Sequence, residues 1–149
     1  MRKFLTVIFA CIVLFGCGDD ANPVNNAADV ESALNGEWII DVTEIEPNSG
    51  GIGGSNIKIG KFSAKSSVYT SNGIKVVVWE SDLTPLTNGF TLSIANKGFD
   101  SKYQWSSYKS QSISGTFSNF DKWSGSVSLR NTTYDGTFGY IATVTATRK

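Results

Sequence analysis

The sequence predicts an all-β domain: an antiparallel up-and-down barrel of about eight strands, with a β-sandwich as the alternative architecture. Three observations carry this. From Gly36 onward, apolar and polar residues alternate with period two, as half-buried strands do. The alternating segments are rich in β-branched and aromatic residues, which suit a pleated surface better than a helix. The gaps hold turn dipeptides: Asn72-Gly73 and Asp135-Gly136 as hairpin signals, Asn88-Gly89 and Lys97-Gly98 as further breaks. Connections this short favour antiparallel neighbours and leave no room for crossover helices. The barrel is preferred because closure removes exposed strand edges.

The chain opens with Arg2 and Lys3, followed by an apolar run from Phe4 to Phe15 and a small residue, Gly16. A basic start, an apolar stretch of about 7–15 residues and a small residue at the cut describe a secretory signal peptide over residues 1–16. The run is too short to span a bilayer as a helix, which takes about 20 residues. Leu14-Phe15-Gly16-Cys17 resembles a bacterial lipobox, although Phe15 is bulkier than that box usually holds. The resemblance implies cleavage before Cys17 and diacylglycerol on its thiol. The rival cut, before Cys11, would leave a very short apolar run. Once the signal leaves, Cys17 is the lone thiol, so no internal disulfide can form, and lipidation accounts for it. The resemblance also implies a bacterial envelope protein held at a membrane. Gly18, where enterobacterial inner-membrane lipoproteins carry aspartate, points to the outer membrane, with Asp19 next door weighing the other way.

Residues 17–33 read as the lipid-anchored tether. Gly18 to Asn26 is small, polar and broken by Pro23, with a reach of roughly 30 Å at about 3.3–3.6 Å per residue. Ala27 to Leu34 can form a short helix, capped by Asn26 and stopped by Asn35-Gly36. The barrel domain occupies residues 34–149. Its first strand carries Trp38, Ile40 and Val42. Segments around Ile57 and Ile59, and from Ser67 to Thr70, follow as separate strands. Ile74 to Glu80 is the most apolar segment. Phe90, Leu92 and Ile94 mark the next, then Tyr103 and Trp105, Ile113 to Phe117, and Trp123 to Leu129. Phe138 to Ala146, alternating with threonines, comes last.

Composition narrows the function. The signal takes two of 13 basic side chains, leaving 11 against 13 acidic ones. No basic patch is present, which argues against a nucleic-acid partner. There is no histidine, so the commonest general base and metal ligand is missing. No metal or cofactor is expected. Glu44 and Glu46 share a face near a strand end, but nothing marks the apolar pocket that glycoside chemistry would need. A solvated rim is the simpler reading. Asp121, Asn131 and Asp135 are too scattered for a calcium loop. Gly50, Gly51, Gly53 and Gly54 lack the lysine and helix of a phosphate loop.

Leu34-Asn-Gly-Glu-Trp38 places a Gly-x-Trp at the first strand's start. It resembles the opening of lipocalins and related calycin barrels, which implies that Trp38 closes one barrel end beneath Arg148 of the last strand. An ordinary core tryptophan is the competing reading. The resemblance covers only the two ends of the barrel, so no ligand residues carry over. Candidates for the wall of an interior ligand site come from alternation alone: Val76, Val78, Leu92, Ile94, Tyr103, Trp105, Val127 and Tyr140. Gly115, Gly125 and Gly139 would leave space inside or let strands bend. The aromatic set Trp79, Trp105, Trp123, Tyr103 and Tyr108 suits an apolar or carbohydrate ligand, or core packing. The short chain favours a mostly filled core with a shallow mouth. The expected function is a non-enzymatic envelope lipoprotein whose barrel binds a small apolar ligand or a partner protein. The alternative is an envelope assembly factor or enzyme inhibitor acting through protein contacts.

Overall fold

The computed structural model describes residues 22–47, 57–81, 89–133 and 136–149. The signal peptide, Cys17, the start of the tether, the glycine-rich stretch at 50–54, Asn88 and Asp135 lie outside the described residues. The fold is a closed antiparallel barrel of eight strands in sequence order. Helix α1 (Ala27–Leu34) precedes β1 (Gly36–Pro47), β2 (Gly60–Ser71), β3 (Ile74–Ser81) and β4 (Gly89–Ala95). Then come β5 (Gly98–Ser106), β6 (Lys109–Asn119), β7 (Lys122–Thr133) and β8 (Gly136–Arg148), and β8 pairs back onto β1. The segments expected around Ile57–Ile59 and Ser67–Thr70 are not two strands. Gly60 to Ser71 is continuous: its first half pairs with β1 and its second half with β3.

The Asn72-Gly73 turn forms where it was expected. Asn72 (φ 50°) and Gly73 (φ 79°) join β2 to β3 in the left-handed geometry that a two-residue hairpin needs. Between β4 and β5 the left-handed residue is Asn96 (φ 53°), one position before Lys97-Gly98.

Helix α1 is capped at both ends. The Asn26 side chain accepts from the Ala28 and Asp29 amides at 2.9 and 3.0 Å, and the Asp29 carboxylate accepts from the Asn26 amide at 3.2 Å, forming a capping box. Its apolar face, Val30, Ala33 and Leu34, is fully buried against one end of the barrel. The chain before it is not a free tether. Val24 is buried, and the Phe120 amide donates to the Asn22 carbonyl at 3.0 Å. Asn22 and the residues between it and α1 therefore belong to the folded body.

The interior is built from one face of each strand. Near the helix end, Trp38, Trp79, Phe99, Phe117 and Trp123 form a ring cluster with centroid separations of 5.2–6.3 Å. Tilted and edge-on contacts at this range are the favoured aromatic geometries. The space that Gly115 and Gly125 vacate is taken up. A β-carbon on Gly115 would come within 2.6 Å of the Trp123 ring. One on Gly125 would lie 1.9 Å from the Ser114 carbonyl, so β6 and β7 approach closely there. The indole N–H groups of Trp79 and Trp123 have no hydrogen-bond partner among the described residues. Leaving a buried donor unpaired costs about 1–3 kcal/mol, against the large area each indole buries.

Candidate functional site

At the helix end, Trp38 and Arg148 meet. They are direct partners in the β1–β8 register, and the Arg148 guanidinium carbon lies 4.7 Å from the Trp38 ring centroid, within cation–π range. The guanidinium also closes the end of the barrel. Nη2 donates to the Ala33 and Phe120 carbonyls at 2.7 and 3.0 Å, and Nη1 to the Asn35 carbonyl at 3.2 Å. Nε lies 3.1 Å from the Asp121 carboxylate. Two of these carbonyls lie at the C-terminal end of α1, where orphan acceptors and the helix dipole favour a cation. Beneath, the Trp38 indole N–H donates to the Ser66 hydroxyl at 2.9 Å, and that hydroxyl donates to the Leu34 carbonyl. This end is a sealed structural plug. Ser66, Phe120 and Asp121 take part in it, and nothing in the sequence assigned them to this end.

The eight candidates for an interior ligand wall divide three ways. Leu92, Val127 and Tyr140 are buried inside, and Ile94 and Tyr103 pack partly buried against the same core. Burial raises the Tyr140 phenol above its ordinary pKa of 10.0. Val76 and Val78 do not line the interior. They alternate with the fully buried Val77 and Trp79 and lie half-buried on the outer face, where a β-carbon on Gly89 would come within 2.6 Å of Val76. In a run of Val-Val-Val-Trp the alternation is silent, and burying the large indole decides the face. Trp105 is not part of an interior wall either; it is 43 % exposed.

Trp105 belongs to a cluster at the barrel rim opposite α1. Strand β5 runs from the helix end to this rim, where Ser107–Tyr108 turns into β6. Trp105 stands edge-on to Tyr103, with centroids 4.8 Å apart and planes at 85°. The Lys109 ammonium sits 4.9 Å from the Trp105 centroid. Tyr108 at the turn is 66 % exposed. Tyr103 also contacts the buried Phe90, at 5.8 Å, which ties the cluster to the core. The β5–β6 hairpin thus holds two large aromatic surfaces and a cation in water. Tyr103, Trp105 and Tyr108 were in the aromatic set drawn from the sequence; Lys109 was not. The signal for it was a Trp-Ser-Ser-Tyr-Lys run, with aromatics and a cation packed around a serine turn.

Other recesses lie on the outer wall. One of about 410 Å³ is lined by Ser93, Asp100, Ser114, Thr116 and Ser124, and one of about 440 Å³ by Thr91, Lys102 and Gln104 with their neighbours. Glu44 and Glu46 are exposed on β1. No described group of three His, Cys, Asp or Glu residues could hold a metal ion, and no described helix is long and apolar enough to cross a membrane. No family model, curated protein or solved structure matches the chain.

Proposed function

We propose that the chain is a bacterial envelope lipoprotein, lipidated at Cys17 and held at the outer membrane, whose barrel is a non-enzymatic binding module. In this reading it works through its outer surface on an envelope protein and does not carry a small apolar ligand. The observation that carries the choice is the fill of the barrel. Three tryptophans and two phenylalanines interlock at the helix end, and Phe90, Leu92, Ile113, Val127 and Tyr140 are buried on β4, β6, β7 and β8. A barrel of about eight strands is wide enough either to be filled or to hold one ligand, and these side chains favour filling. The exposed Trp105–Tyr108 hairpin supplies what a filled barrel lacks, a surface for recognition. The calycin reading of Gly36-Glu-Trp38 with Arg148 belongs to the same proposal and is supported by the stacked geometry of that pair.

Two measurements test it. Metabolic labelling with a palmitate analogue should mark the wild-type chain and not Cys17→Ser; label on the variant refutes the anchor. Titration of tryptophan emission with long-chain fatty acids should show no saturable change at micromolar concentration. Saturable quenching, lost in Tyr140→Ala or Leu92→Ala protein that remains folded, restores the carrier function.

A further inference from the structure

We propose that the barrel stands on its anchoring membrane with the α1 end down and presents the rim of Trp105, Tyr108 and Lys109, on the far side, to an acidic segment of a partner protein. This rests on the lipid anchor at Cys17.

The orientation follows from where the folded body begins. Asn22 is held by the Phe120 amide, Val24 is buried, and Asn26 caps α1. All three lie at the end sealed by Arg148. Asn22 is five positions beyond Cys17. Five residues reach at most about 17 Å at roughly 3.4 Å each. The nine residues of β5 carry the chain from the helix end to the rim. At about 3.3 Å per residue and a tilt of roughly 40°, that is a rise of about 20 Å. The lead is therefore too short for the barrel to stand rim down on the bilayer that holds Cys17, and the rim is the end remote from the anchor.

The partner's chemistry follows from the rim. Exposed Trp and Tyr are among the side chains that dominate protein interfaces, and Tyr103 and Lys109 pack against the Trp105 ring. On the hairpin that carries them and on β7 beside it, the charge has one sign. Lys102, Lys109 and Arg130 occupy the rim halves of β5, β6 and β7, and no Asp or Glu lies between Ser101 and Asn119 or between Lys122 and Thr133. Three cations beside an aromatic contact favour and orient an acidic surface, with Glu44 and Glu46 across the barrel at the rim end of β1.

The test uses the full lipidated protein in phosphatidylethanolamine–phosphatidylglycerol vesicles, with two readouts. The first compares wild type with Trp105→Phe to isolate the Trp105 emission. Iodide in the bulk water should quench it, and brominated acyl chains should leave it unchanged. Quenching by brominated lipid overturns the orientation. The second readout is fluorescence anisotropy of a labelled glutamate–tyrosine copolymer at low salt. Binding should saturate, weaken with added salt and fall about fivefold or more in Trp105→Ala, Tyr108→Ala and Lys109→Ala, the loss expected of interface anchors. Equal binding by those variants, or tighter binding of alginate than of the copolymer, overturns the protein partner. Protein that fails to enter vesicles overturns the anchor and the orientation with it, while copolymer binding in solution still decides the rim.

Discussion

Gly36→Ala should unseat Arg148, and a double-mutant cycle reads out the plug at the helix end. A β-carbon on Gly36 would lie 2.2 Å from Arg148 Nη1. The backbone at Gly36 needs no left-handed conformation, so the flexible guanidinium is what yields. The displaced group loses its stack on Trp38, its carbonyl bonds to Ala33, Asn35 and Phe120, and its ion pair with Asp121. The stack contributes about 0.5–2 kcal/mol. Hydrogen bonds to a charged group contribute about 1.5–3 kcal/mol each, but water replaces part of that at a barrel end. A net cost of about 3 kcal/mol for Arg148→Ala follows. Gly36→Ala should cost about 2 kcal/mol, since alanine returns roughly 0.5–1 kcal/mol of backbone entropy in a strand. In the Arg148→Ala background the same change has nothing left to displace and should be neutral or slightly stabilising. Urea unfolding of the soluble Cys17→Ser protein lacking residues 1–16, followed by tryptophan emission, measures all four corners. Costs that add to within about 0.5 kcal/mol, as for independent sites, would refute the shared mechanism.

The facing of β3 and the burial of Tyr140 give two further expectations. Val77→Thr places a hydroxyl in the core and should cost about 1–3 kcal/mol, while Val78→Thr on the outer face should stay within about 0.5 kcal/mol; the reverse ranking in urea midpoints would overturn the assigned face. Burial raises the Tyr140 pKa above 10.0, so at alkaline pH the folded chain keeps a proton that the unfolded chain releases. Its stabilising contribution is then complete below pH 10 and is lost as pH rises through the folded value, and Tyr140→Phe should flatten that alkaline decline in the urea midpoint.

Much of this protein was legible in the order of its residues because the signals are local. Alternation over β4, β7 and β8 places side chains on two faces without reference to any neighbour. Asn72-Gly73 specifies its turn through backbone conformations that few residues tolerate. Asn26 with Asp29 starts α1 by the same short-range logic. The tertiary structure decided what depends on residues far apart in the chain. It set the face of β3, where Val76 to Trp79 carries no alternation. It filled the space opposite Gly115 with the Trp123 ring, eight positions away. It gathered carbonyls of residues 33, 35 and 120 around Arg148. Such choices rest on volume and on hydrogen-bond partners brought together by barrel closure, which no window of sequence contains. The rim followed the same division: sequence supplied its aromatics, and the turn of β5 into β6 put them in water beside Lys109.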